Sequence, residues 1–417
     1  MLSEQVIDKL VERLVKRIDE GNTYVLQKIG ENIKQIGTLT STQAHELVQA
    51  LKYGGDYDKI VKKLAQITDL NTKDIYKIFD EVAKSDYNFS KQFYEYRNKK
   101  FIPYEENTAL KRQVQAMAKI TANEYRNLTK TMAFAQKVNG KVVYTPIAQA
   151  YQDALDKAVL SVAQGKSTFQ AEMYSTIKEL ASSGIRTVDY ASGRSMRLDS
   201  AVSMNMRSAL RNLHNETQEL IGEEYGADGV EVSVHLFPAP DHAEVQGRQF
   251  TKKEFERFQM GFDAKDYKGR LITADYNGHE RRPISELNCY HYVFNIVLGV
   301  NEPEYTNKEL QEIIDSNNQG FDFNDKHYTN YEGTQLQRRI ETEIRKQKDM
   351  QIIAKASDNK ELIAETQTKI TQLTNKYREL SEISGLSTKM ERMRVSGYRR
   401  VAKSKLKWYN CSRCWHT

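Results

Sequence analysis

The run Val230-Glu231-Val232-Ser233-Val234-His235-Leu236-Phe237, followed at once by Pro238-Ala239-Pro240-Asp241-His242-Ala243-Glu244-Val245-Gln246-Gly247, departs from the pattern of the rest of this 417-residue chain. Val230, Val232, Val234 and Leu236 fall on one side of an extended backbone and Glu231, Ser233 and His235 on the other, because successive side chains of a strand point to opposite faces. That alternation predicts a β-strand with one buried face. A polar, aromatic-rich stretch continues to Pro283, and a short apolar run, Tyr290 to Gly299, follows. Residues 225–332 therefore read as a compact α+β core.

On both sides of this core the periodicity is helical. Val6, Leu10, Leu14 and Ile18 recur every four residues, and Gly21-Asn22 is expected to stop the run. Thr40-x-x-Gln43 and Asn71-x-x-Asp74 each look like a cap opening a short helix. Residues 1–100 thus read as a helical docking module built from short helices. Residues 101–224 read as a helical region. Its stripes are Leu110/Val114/Met117, continued through Leu128 and Met132, then Ile147/Tyr151/Leu155/Val159/Val162, Phe169/Met173/Ile177/Leu180 and Leu198 to Leu213, with Tyr144-Thr145-Pro146 as a break. After the core, Leu336, Ile340 and Ile344 share a face. Ser357 to Lys360 forms a turn, and Ile363, Ile370, Leu373, Tyr377 and Leu380 approach a heptad series ended by Gly385. Residues 333–386 are expected to form a helical hairpin, and 387–417 a basic tail. The fold class expected is mainly α with a central α+β unit, in several domains, with long helices and a C-terminal hairpin.

Composition narrows the function. Charged residues are 28% and hydrophobic residues 39%, and no run of 18 apolar residues is present, so no membrane-spanning helix is expected. The first residues are interrupted by charges every few positions and lack the apolar core of a secretory signal. Three cysteines, Cys289, Cys411 and Cys414, are too few for a disulfide framework and fit a reducing compartment. The chain has no Walker-type loop, dinucleotide-binding glycine fingerprint, HExxH or GxSxG, which removes support for nucleotide hydrolysis and the common hydrolase classes. A net charge of +6 is small for this length. The charge is concentrated, however: Lys389, Arg392, Arg394, Arg399, Arg400, Lys403, Lys405 and Lys407 face one acid, Glu391. Arg392, Arg394, Arg399, Arg400, Lys403, Lys405 and Lys407 are the candidate nucleic-acid contacts, with Tyr398, Trp408 and Tyr409 beside them. The alternative is a solvated basic tail.

The densest polar cluster lies in the α+β core: His235, Asp241, His242, Gln246, Gly247, Asn288, Cys289 and His291. Three readings compete. In one, Asp241, Gln246, Gly247 and Asn288 belong to a structural polar network that satisfies loop backbone groups. In another, His235, His242, Cys289 and His291 hold a metal such as zinc. In the third, Cys289 is a nucleophile with His242 or His291 as its base, which would make the core a hydrolase or transferase. The tail pair Cys411-x-x-Cys414 with His416 is only half a zinc site, and two incidental thiols are the better account of it.

Several stretches, taken in order, resemble the phage minor capsid protein 2 family, part of the wider group of phage head-morphogenesis proteins. They are Ala150-Tyr151 to Gly165 with Ile177 to Ala181 and Asp189 to Arg194; His235 with Asp241-His242-Ala243-x-x-Gln246-Gly247; Leu287 to His291 with Tyr305 to Leu310; and Tyr328 to Arg338, continuing to Arg345-Lys346. Together they span roughly residues 145–395. The chain has Tyr290 where the family often has arginine between the Cys and the His, and an aromatic ring cannot replace a bidentate guanidinium in holding an anion. The resemblance implies a structural, non-enzymatic minor capsid protein of a tailed phage; no cofactor is expected, zinc at the His/Cys cluster being the alternative that the residue types leave open. It implies action near the portal during head assembly, and passage into the filled head with the DNA. Its implied partners are the portal protein, the major capsid or scaffold protein, sister copies and packaged DNA. The implied location is the virion head, reached from the host cytoplasm.

Overall fold

The N-terminal periodicity produces helices much longer than the short ones expected. One spans Glu4–Ile36, 33 residues, and another Gly55–Phe89, 35 residues. Gly21 and Asn22 do not end the first helix. Gly21 lies against Ile67 and Leu64, where a Cβ would sit 3.0 and 3.2 Å from their methyl groups. Asn22 is buried. The Asn71/Asp74 pair is likewise inside a helix and not at its start. Asn71 accepts from Arg17 at 3.0 Å and donates to the Leu14 carbonyl at 3.1 Å. Polar groups that resemble caps in the sequence are here satisfied by a neighbouring helix, which leaves the helix free to continue. Thr40 and Gln43 do pair at the opening of the Ser41–Tyr53 helix. The buried stripe of the first helix is Ile7, Val11, Leu14, Ile18 and Val25, while Val6 is exposed. A strict four-residue step overshoots the 3.6-residue turn, so alternating steps of three and four keep to one face.

The computed structural model describes residues 4–53, 55–96, 98–138, 141–164, 166–189, 194–285 and 289–401. They form a mainly helical protein with several small antiparallel sheets. Two compact units are present, each drawn from three separated segments. One takes the chain up to Arg13, Thr72–Tyr125 and Ser203–Gln335. The other takes Leu14–Asn71, Arg126–Val202 and the chain from Leu336.

In the first unit, strands Val293–Ile296, Gly229–Val232 and Gln249–Thr251 form a three-stranded sheet with Gly229–Val232 at the centre. Val230, Val232, Val245, Phe250, Phe258, Ala264, Ile272, Ile284, Cys289 and Val293 make its core. The expected strand is shorter than its alternation suggested. It stops at Val232, Leu236 is 66% exposed, and Glu231 is buried. Glu231 is tolerated inside because its carboxylate accepts from Gln249 at 2.8 Å and from the Glu304 backbone N–H at 3.1 Å. The Asn307–Gln319 helix opens with a capping box between Thr306 and Glu309.

The second unit holds a four-stranded antiparallel sheet inside the stretch expected to be helical. Its order is Lys141–Pro146, Met132–Val138, Arg186–Asp189, Arg194–Arg197. Met132 thus opens a strand instead of continuing a helix. The C-terminal hairpin is present as expected, with helices Asn330–Ala356 and Lys360–Ser384. Asp358 takes the left-handed conformation, Asn359 caps the second helix through Leu362 N–H, and Gly385 ends it with φ 68°.

Buried charges tie this unit together. Arg197 donates to Asp349 at 3.0 Å and to Asp199 at 3.4 Å, and Arg345 donates to Asp199 at 2.6 Å. Asn22 donates to Asp349 at 3.3 Å and accepts from Ile185 N–H at 3.1 Å. Burial opposes the charge on Asp199, but Arg197 and Arg345 outweigh it and hold its carboxyl below the usual range. Asp349 lies deeper and has a single guanidinium. Burial, with the like charges of Asp19 and Asp199, pushes it up to about 6. A raised acid contributes stability below its ordinary value of 3.8 and loses it as pH rises through about 6. Urea unfolding of the wild-type chain and of Asp349→Asn will therefore show a stability difference that moves against wild type between those pH values. The slope will be at most about 1.4 kcal/mol per pH unit. A pH-independent difference would mean an unshifted carboxyl.

Candidate functional site

The polar cluster of the α+β core assembles around Cys289, which is 3% exposed. Its Sγ lies 3.4 Å from His291 Nδ1 and 3.7 Å from His242 Nδ1. His242 sits at the end of the 3-10 turn Pro240–His242, which the prolines at 238 and 240 help to fix. Cys289 and His291 lie just before the Val293–Ile296 strand, two residues apart, so an extended backbone points both to the same side.

The far nitrogen of each imidazole is held by a carbonyl oxygen. His242 Nε2 is 2.8 Å from the Arg282 backbone oxygen. His291 Nε2 is 3.3 Å from Gln246 Oε1, and the same oxygen accepts the His235 backbone N–H at 2.8 Å. That second contact fixes which end of the Gln246 amide is the oxygen. Both imidazoles therefore carry their proton on Nε2 and turn an Nδ1 lone pair toward the thiol. Burial lowers the His242 pKa, and burial with the neighbouring His235 and His242 rings holds His291 well below 6.5. Burial pushes the Cys289 thiol up.

Asp241 receives both Arg282 Nε and Nη2, at 2.7 and 2.8 Å. Burial works against its charge, yet the Arg282 pair and His242 hold it below the usual carboxylate range. Arg281 binds the Asp241 carbonyl at 2.7 Å and Glu244 at 2.5 Å. Arg211 lies 5.4 Å over the Tyr290 ring.

His242, Cys289 and His291 thus come together, with their ligand atoms all within 4.8 Å of one another. His235 packs its ring 4.6 Å from the His291 ring and stands outside that ligand group. Gln246 joins the cluster directly, Asp241 through Arg282, and Gly247 through its backbone. Asn288 lies outside the described residues, as do Lys403, Lys405, Lys407, Cys411, Cys414 and His416. Arg394, Arg399 and Arg400 are exposed and Arg392 is half-buried, all in the second unit. As a nucleophile, Cys289 would need a thiolate open to substrate. The structure instead encloses it, with burial favouring the thiol form. Sequence reasoning missed Arg281 and Arg282. The only signal was their adjacency before Pro283, and nothing in the spacing indicated a partner 41 residues upstream.

The family model described as phage minor capsid protein 2 matches residues 2–382. The chain belongs to the phage minor capsid protein 2 family. Membership accounts for nearly the whole of the described chain, including the N-terminal helices that contributed little to the resemblance. A phage minor capsid protein is a structural component of the virion, and no described helix here is long and apolar enough to cross a membrane. No curated protein and no solved structure matches the chain.

The backbone turn that carries Gln246 in this minor capsid protein depends on Gly247. Its φ is +68°, and a Cβ there would stand 2.4 Å from Leu310 Cδ2 and 2.9 Å from Val234 Cγ2. Gly247→Ala will combine left-handed strain with overpacking and destabilise the chain by about 2–4 kcal/mol. Urea unfolding measures this; a loss below about 0.5 kcal/mol would show that the turn relaxes freely.

Proposed function

We infer that this minor capsid protein acts in head assembly, near the portal, in several copies per particle. Its partners are the portal protein, the major capsid or scaffold protein and sister copies, and it works first in the host cytoplasm and then in the virion head. The observation that carries this reading is the family match over residues 2–382. The long helices and the C-terminal hairpin support it, because extended helical faces suit protein contacts better than a substrate cleft. The enclosed thiol of Cys289 weighs against the hydrolase or transferase alternative. Purified particles will contain the chain, localised by labelled antibody to the head at the portal vertex. Deletion of its gene will lower the yield of infectious particles. Particles that lack the chain, together with a deletion that leaves head assembly intact, would refute the reading.

A second reading, binding of packaged DNA, is favoured by one feature of the second unit. Exposed Arg394, Arg399 and Arg400 lie on the segment whose Tyr398 ring meets Lys348 at 4.9 Å and Lys355 at 5.7 Å. This concentrates five cations on one short stretch and its helix, a suitable surface for phosphates. DNA affinity of the full chain will fall as salt rises. Replacing Arg394, Arg399 and Arg400 with alanine will reduce the salt slope by roughly one for each phosphate left without its arginine. A slope unchanged by the triple substitution would place DNA elsewhere or exclude it.

A further inference from the structure

The hydrogens at the Cys289 cluster do not match its acceptors. Two Nδ1 lone pairs, from His242 and His291, face a single sulfur. A thiol has one hydrogen and can satisfy one of them, so the other is left as a buried acceptor without a donor, an arrangement that costs about 1–3 kcal/mol. Neither imidazole can turn its proton inward, because each Nε2 faces a carbonyl oxygen that accepts only.

A metal ion removes the mismatch. Zinc bonds of about 2.3 Å to sulfur and about 2.0 Å to nitrogen place those ligand atoms about 3.5 Å apart at the tetrahedral angle. The observed separations, 3.4 and 3.7 Å, bracket that value. The remaining nitrogens are held as a metal site requires, with one Nε2–H on a backbone carbonyl and the other on a side-chain amide oxygen, which fixes tautomer and ring orientation. A thiolate and two neutral imidazoles select a borderline metal such as zinc over calcium or magnesium, which prefer oxygen.

We propose that His242 Nδ1, Cys289 Sγ and His291 Nδ1 form a zinc site that fastens the loop after the central strand to the segment entering the Val293–Ile296 strand. Binding releases the thiol proton to solvent as the zinc–sulfur bond forms, and water completes the fourth position. Arg282 is neutralised by Asp241. The proposal is independent of the head-assembly reading, since it concerns how the core is held and not where the chain resides.

The test uses the full chain carrying Cys411→Ser and Cys414→Ser, which leaves Cys289 as its single thiol. Titration with cobalt(II) after removal of bound metal is expected to give a thiolate-to-cobalt charge-transfer band and the intense visible bands of four-coordinate cobalt, saturating at a stoichiometric amount and displaced by zinc. Because only one thiol remains, the charge-transfer band itself assigns the ligand, whether or not further variants fold. Cys289→Ala in the same background is expected to lose that band, together with the rise in thermal midpoint that zinc gives the parent. A parent chain with no charge-transfer band overturns the proposal. So does a zinc-dependent midpoint that is retained in Cys289→Ala.

Discussion

A guanidinium in a protein interior must be met by carboxylates, and Arg197 imposes that demand on the whole second unit. Its side chain is 8% exposed and its partners, Asp199 and Asp349, are buried with it. Burial alone would favour losing its proton, but the two carboxylates outweigh this and hold the charge. The consequences reach well beyond the pair. Asn22, on the N-terminal helix, completes the Asp349 carboxylate, and Arg345 takes the second oxygen of Asp199. Gly184 must lack a side chain, because a Cβ there would stand 2.6 Å from the guanidinium. A charge buried in one strand therefore sets the residues allowed on three helices and a turn.

The α+β core of the first unit is organised by the same rule with smaller groups. One amide oxygen, that of Gln246, accepts from the His235 backbone and faces the His291 ring. It fixes a tautomer, and that tautomer turns a lone pair toward Cys289. The Asp241–Arg282 pair holds the segment whose carbonyl does the same for His242. The polar-network and metal-ligand readings of this cluster are thus compatible. The network positions the nitrogens, and the nitrogens converge on the sulfur.

For a minor capsid protein, such construction has a physical rationale. A small sheet of three short strands buries too little apolar surface to be rigid by itself. Satisfied polar contacts between loops add directional constraints that apolar packing lacks. The helices carry most of the length.

The amino-acid sequence by itself determined the mainly helical character with some α+β structure, and the C-terminal hairpin with its turn at Ser357 to Lys360. Each is a local matter of apolar period or capping residue. Tertiary structure alone decided where the helices end, since Asn22 and Asn71 look like helix breakers or caps until a partner 327 or 57 residues away satisfies them. It alone decided that Glu231 is buried, that Met132 opens a strand, and that Arg282 faces Asp241. It also separated His235 from His242, Cys289 and His291. Residue types and spacing are equally favourable for all four; the direction of each lone pair depends on which carbonyl holds the opposite nitrogen, and that is a property of the folded chain.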